Sequence, residues 1–199
     1  MDFLKTKTAV CLARSFAGES QARNRYEFYA AQARREQQEY LARLFEQTAD
    51  NERAHAWAFW CELTKNGGAQ IGNIALDAGY PFSFGSTEQN FAFAAEGERD
   101  EYASAYPAFT ETAAAEGFAD AAQLWRQIAA IEGEHLAVFE AAKRMLSDGS
   151  IYRRDAPVVW RCLNCGHTLE AVEPWRICPV CGRPMGWVES DVRAQAARK

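Results

Sequence analysis

The chain has 199 residues, of which 25% are charged, and a formal net charge of -5. That length holds one medium domain, or a main domain with a small second one, and with no block of like charge it argues against a nucleic-acid or anionic-membrane surface. Lys5, Lys7, Arg14 and Glu19 interrupt any apolar run long enough for a signal peptide, and no stretch approaches the roughly 20 residues of a membrane span, so a soluble, cytoplasmic protein is expected.

Helical periodicity predicts a first amphipathic helix over about 4–36, with Leu12, Phe16, Glu19, Tyr26, Ala30 and Ala33 on its apolar face. A second runs over about 38–66, with Leu41, Phe45, Thr48, Glu52, His55, Phe59 and Leu63, and stops at Asn66-Gly67-Gly68. Residues 67–86 carry glycines, Pro81 and aromatics without period and read as a long crossing connection. Ser86 or Thr87 caps a third helix, followed by Gln89 or Asn90, with face Phe91, Ala94, Glu98, Glu101, Ala105 and Phe109. Pro107 predicts a bend just past that carboxylate pair, and Gly117 an end. The fourth helix, about 118–147, shows Leu124, Ile128, Glu132, His135, Phe139 and Leu146. The main domain is therefore 1–150, with a linker at 151–159, a second unit at 160–190 and a polar, fraying tail at 191–199.

Charged groups on these apolar faces carry the chemistry. Glu52 with His55, and Glu132 with His135, repeat one spacing and use two of the three histidines. Positions three apart on a helix project within about 60° of each other, so each pair is half of a metal site. Glu19, Glu52, Glu98, Glu101 and Glu132 would be costly to bury as bare charges, and no Lys or Arg lies consistently on the same faces. Two divalent cations would offset four of those five charges. Carboxylates with imidazoles suit iron or manganese better than zinc, although zinc could substitute in a preparation. Glu96 and Glu134 are rotated off the faces and are expected in solvent. Tyr26 and Tyr106 fit either of two roles, hydrogen-bond donor near the metals or ordinary core tyrosine.

The second unit holds Cys162-Leu163-Asn164-Cys165 and Cys178-Pro179-Val180-Cys181, twelve residues apart, each followed by glycine. Such knuckles give tetrahedral sulfur ligation for one iron or zinc. His167 lies beside a complete ligand set and is expected at the surface. Cys11 and Cys61, alone in helices, are expected as small core residues.

Together with Phe16-Ala17-Gly18-Glu19-Ser20-Gln21-Ala22-Arg23-Asn24-Arg25-Tyr26 and Tyr106-Pro107, these motifs make the chain resemble the rubrerythrins. The resemblance implies a mainly α protein, a ferritin-like four-helix bundle with a small C-terminal rubredoxin-like metal-bound β domain. It assigns Glu19, Glu52, His55, Glu98, Glu101, Glu132 and His135 to two irons, and Cys162, Cys165, Cys178 and Cys181 to a third. It further implies a peroxidase reducing hydrogen peroxide to water, with Glu52 and Glu132 bridging the metals, Glu101 exchanging with His55 as the redox state changes, and Tyr26 and Tyr106 close by. The implied partners are an electron donor protein, a rubredoxin or a reductase, and a second subunit in a homodimer. His167 departs from the family pattern, standing where an aromatic is common. The rival readings are an iron-storage protein with a structural zinc module, and an oxidase using dioxygen.

Overall fold

The computed structural model describes residues 2–68 and 70–197. Four of the predicted elements are present as α1 (Lys7–Arg35), α2 (Glu39–Gly67), α3 (Thr87–Asp100) continued by α4 (Tyr106–Glu116), and α5 (Ala119–Ser147). Their ends follow local chemistry. Ser86 and Gln89 form a reciprocal cap on α3, the Gln89 N–H donating to Ser86 Oγ at 3.3 Å and the Ser86 N–H to Gln89 Oε1 at 2.9 Å. Gly117, at φ 86°, ends α4 in the left-handed conformation that glycine adopts without strain.

The third helix corrects the sequence reading. Glu101–Ala105 forms a π turn between α3 and α4, closed by the Tyr106 N–H bonding to the Glu101 carbonyl. The disturbance expected just past the carboxylate pair therefore begins at its second member. Pro107 has no N–H for the carbonyl four residues back, and a widened turn ahead of it also relieves the ring's clash with that turn. A π turn adds a residue to the repeat, so the buried face passes from the expected Ala105 and Phe109 to Tyr106 and Ala113.

Contacts divide the chain into two compact units, each built from several segments of the sequence. The first comprises Met1–Arg25, Thr48–Phe82 and Glu96–His135. Its core gathers Leu12, Phe59, Leu63, Tyr106, Trp125 and Ile128. Trp125 carries its polar edge into this core by donating to Ser15 Oγ at 2.9 Å. The Glu116 carboxylate accepts the Lys7 and Thr8 N–H groups, placing negative charge at the start of α1.

The second unit comprises Tyr26–Gln47, Ser83–Ala95 and Leu136–Lys199. Its helical part packs Tyr26, Tyr29, Phe45, Phe91 and Phe139, with the Phe45 and Phe91 rings stacked at 4.1 Å. Its C-terminal part is a three-stranded antiparallel sheet of β1 (Val158–Cys162), β2 (Thr168–Ala171) and β3 (Val188–Glu189), in the order β2-β1-β3. Gly186 lies so close to the turn between α1 and α2 that a Cβ there would stand 1.8 Å from the Gln37 carbonyl oxygen, so no larger residue fits.

Smaller expectations also shift. Ile151 and Tyr152 in the expected linker are buried, and Val192–Ala196 of the expected fraying tail forms a short helix, α6, with Val192 buried. Residues 198 and 199 of that tail lie outside the described residues. Cys61 is exposed, because it sits about 200° around α2 from buried Phe59. His167 is half-buried, its ring 4.8 Å from that of Trp175.

Candidate metal centres

Within the first unit, α1, α2, α3 and α5 bring six of the seven predicted side chains into two overlapping quartets. One is Glu19, Glu52, His55 and Glu132, the other Glu52, Glu98, Glu132 and His135, and in each the candidate ligand atoms all lie within 4.8 Å of one another. Glu52 and Glu132 belong to both. Each presents one oxygen to each imidazole: Glu132 Oε1 lies 2.9 Å from His55 Nδ1 and Oε2 2.7 Å from His135 Nδ1, while Glu52 Oε2 lies 3.0 Å from His55 and Oε1 3.3 Å from His135. Glu19 reaches only His55, at 3.8 Å, and Glu98 only His135, at 3.6 Å. The arrangement offers two cations two shared carboxylates, with one further carboxylate and one imidazole for each.

The donors fit a metal pair better than they fit one another. Glu19 Oε2, Glu52 Oε1 and Glu132 Oε1 are buried and face no well-aligned hydrogen-bond donor. Buried carboxylate oxygens left this way are costly unless a cation satisfies them. Burial and the charge of Glu52 and Glu101 push Glu19 well above the usual carboxylate range, and burial with Glu52 pushes Glu98 up to about 8. Burial also raises Glu52, but hydrogen bonds from His135 and His55 hold it down to about 2. Burial lowers His55, yet Glu132, Glu19 and Glu52 together hold it up to about 12, and His135 is raised for the same reason.

Glu101 stands outside both quartets. The π turn leaves it half-buried, lining a cavity beside Arg25, Tyr80 and Tyr106. Burial and the nearby Glu98, Glu132 and Glu52 push its carboxyl well above the usual range. Tyr106 is buried and its hydroxyl donates to Glu19 Oε1, so it lies against the site. Tyr26 belongs to the second unit, where its ring meets Tyr29, Phe45 and Phe139. Glu96 and Glu134 are exposed, as their helical phase predicts.

Sequence reasoning missed Asn51, whose amide lies 3.1 Å from His135 Nε2. The Asn51 amide nitrogen is the atom that faces Nε2, the ring nitrogen opposite the one turned to the quartet, and its contact there helps fix the ring. The available signal was a polar residue directly before Glu52.

In the second unit, Cys162, Cys165, Cys178 and Cys181 form the remaining cluster among the described residues. Gly166 and Gly182, at φ 75° and 72°, turn each knuckle, and their N–H groups bond back to the Cys162 and Cys178 carbonyls at 2.9 Å. The Cys162–Cys181 and Cys165–Cys178 sulfurs are each 3.7 Å apart. A tetrahedron with metal–sulfur bonds of about 2.3 Å has edges of about 3.8 Å, so the cluster has the size of a tetrathiolate site. The Arg183 N–H draws the Cys181 thiol down to about 6.

A family model for rubrerythrin matches residues 11–143, and one for the rubrerythrin rubredoxin-like domain matches residues 160–185. The chain belongs to the rubrerythrin family. It is 39% identical over 185 residues to a rubrerythrin of Porphyromonas gingivalis, covering 92% of this chain and 90% of that one. It is 34% identical over 176 residues to the rubrerythrin of Nitratidesulfovibrio vulgaris, covering 88% and 89%. Among solved structures, nigerythrin in a mixed-valence state aligns with TM-score 0.62 at 26% identity over 94% of this chain and 90% of that one, and its fully reduced, all-ferrous state with TM-score 0.60 at 27% identity over the same shares. As a rubrerythrin-family member the chain is mainly α and ferritin-like, with a dinuclear carboxylate–histidine site and a C-terminal rubredoxin-like four-cysteine site. Among the described residues, no helix is long and apolar enough to cross a membrane.

Proposed function

We propose that the chain is a non-haem di-iron peroxidase that reduces hydrogen peroxide to water, with electrons entering through the four-cysteine iron centre. The observation that carries this reading is the pair of quartets sharing Glu52 and Glu132, with a further carboxylate, Glu101, beside them at a cavity. A storage site has no use for a half-buried, spare carboxylate at its opening. A site that changes charge on every turnover does.

In this reading Glu52 and Glu132 would be shared by the two irons, with Glu19 and His55 available to hold one and Glu98 and His135 the other. Bound iron supplies one electron from each ion, so that H2O2 + 2 H+ + 2 e− gives two waters. Tyr106 holds Glu19 in place through its hydroxyl. Glu101 would be the carboxylate available to take the place of His55 on oxidised iron, where its negative charge would offset the added positive charge. Cys162, Cys165, Cys178 and Cys181 hold the single iron through which replacement electrons arrive one at a time, from a rubredoxin or a reductase. The working form is a homodimer in which one subunit's rubredoxin-like domain serves the other's dinuclear site. The test is steady-state consumption of hydrogen peroxide by iron-loaded protein with a one-electron donor. Consumption that needs both centres supports the reading, whereas iron uptake without peroxide consumption contradicts it.

A further inference from the structure

The cavity at Glu101 has features that the metal site alone does not require. It measures about 130 Å³, with Glu101 and buried Tyr106 on one side and exposed Arg14 and Asp100 on the other. It therefore joins exposed side chains to Glu101 and to Tyr106, whose hydroxyl donates to Glu19 of the quartets.

Two glycines keep it open. Gly18 and Gly97 each directly precede a quartet glutamate, Glu19 and Glu98, and both line the cavity. A Cβ on Gly18 would stand 3.7 Å from Glu101 Oε1 and 3.9 Å from Tyr80 Cε1, so the missing side chain is the gap between that ring and that carboxylate. A Cβ on Gly97 would stand 3.6 Å from Arg25 Nη2. Glycine inside a helix costs about 1 kcal/mol relative to alanine, and neither position has a positive φ that calls for it. Open space is the remaining reason.

The lining mixes apolar groups with several polar side chains that are held in place. Arg14 lies over the Phe109 ring at 5.5 Å, and Arg25 donates to Gln21 Oε1 at 2.8 Å. Tyr80, from the long connection between α2 and α3, is half-buried and donates its hydroxyl to the Arg14 carbonyl at 3.3 Å. Its ring is thus pinned to α1 across from the Gly18 gap. A small polar molecule finds hydrogen-bond partners along this route, and a bulky apolar one meets the ring.

We propose that this cavity is the passage by which hydroperoxide reaches the dinuclear site, and that Tyr80 sets its width, admitting hydrogen peroxide and excluding bulky organic hydroperoxides. The proposal rests on the peroxidase reading for its substrate, but the passage itself is testable without turnover. Tyr80 is a specificity-determining residue in this scheme, not a catalytic one.

The experiment uses the iron-loaded full chain as wild type, Tyr80→Ala and Gly18→Leu. Azide, a small anion, probes entry to the oxidised site by its absorbance change, and reoxidation of the reduced site by hydrogen peroxide and by cumene hydroperoxide is timed separately. Gly18→Leu should slow azide association about tenfold while the spectrum at saturation stays that of wild type, since a side chain in the gap obstructs entry without altering the ligands. Tyr80→Ala should raise the ratio of the cumene hydroperoxide rate to the hydrogen peroxide rate by about tenfold or more. Wild-type azide association in Gly18→Leu, or an unchanged ratio in Tyr80→Ala, would overturn the passage. If neither hydroperoxide reoxidises the wild type, the peroxidase reading fails and the azide rates alone decide the passage.

Discussion

Glu132 holds its Oε1 2.9 Å from the Nδ1 of His55, an imidazole that reaches it from another helix. Neither group has reason to be buried alone, and together they define the space that a metal ion would fill. The behaviour of the metal-free protein follows from that pairing.

Removing the metals should lower the melting temperature by roughly 10 °C, since a ligand at a thousand times its dissociation constant contributes about 4 kcal/mol to a chain of this size. The loss should grow with pH. Glu98 is raised in the folded state to about 8 from a usual value of 4.5, so between those limits the unfolded chain releases a proton that the folded chain keeps, and apo stability falls. Glu19 and Glu101 act in the same direction. His55, raised to about 12 from 6.5, contributes stability that is complete below 6.5 and declines above it. Glu52, lowered to about 2, acts oppositely, but its contribution is lost only as pH falls from 4.5 towards 2. Calorimetry of apo and holo protein at pH 6 and pH 8 should show the gap widening at pH 8. An equal melting temperature for apo and holo protein at neutral pH would count against the site.

Tyr106→Phe removes the hydroxyl that donates to Glu19 while keeping the ring in the core. The apo protein should lose about 1–3 kcal/mol, the usual cost of a buried acceptor left without its donor. The holo protein should lose less, because the metal holds Glu19. Denaturant titrations of both forms measure the difference, and equal losses would mean that Glu19 is not a ligand.

Glu101→Ala should still bind two metals, since neither quartet includes Glu101. Its oxidised state should suffer most, because an anion that offsets the third positive charge on that iron is gone, and the reduction potential of the site should rise. Metal content, potential and single-turnover peroxide reduction are to be measured on one preparation. Normal binding, an unchanged potential and wild-type cycling would leave Glu101 without a part in ligand exchange.

Cys162→Ser or Cys181→Ser should abolish the red absorbance of a ferric tetrathiolate while leaving the dinuclear site loaded, because the four-cysteine ligands and the quartets lie in separate units. Turnover from an external donor should collapse at least a hundredfold, within the range seen when the ligand shell of a metal centre is damaged. Full steady-state activity in either variant would place the electron inlet elsewhere.

The helices, the two Glu–His pairs and the four-cysteine cluster could be read from spacing. Glu52 with His55 and Glu132 with His135 were legible because burying a charge on an apolar face breaks a strong rule, and the four cysteines because two knuckles at this spacing have few other uses. The Ser86 and Gln89 cap was legible for the same local reason. The π turn was not, since a widened turn has no composition of its own and Pro107 announces only that the helix is disturbed. That single turn moved the buried face from Ala105 to Tyr106 and set Glu101 apart from the quartets. Asn51 and Tyr80 were hidden because each acts through a partner distant in sequence, His135 in one case and Arg14 in the other.

The most direct test of the peroxidase reading is anaerobic stopped-flow mixing of the fully reduced, iron-loaded protein with hydrogen peroxide and, separately, with dioxygen, followed at the ferric absorbance of both centres. The account predicts that hydrogen peroxide oxidises the dinuclear site first and the four-cysteine iron after it, with one peroxide consumed per two electrons, and that dioxygen is much slower. Oxidation by dioxygen as fast as by hydrogen peroxide, or a dinuclear site that stays reduced when peroxide is added, would contradict it.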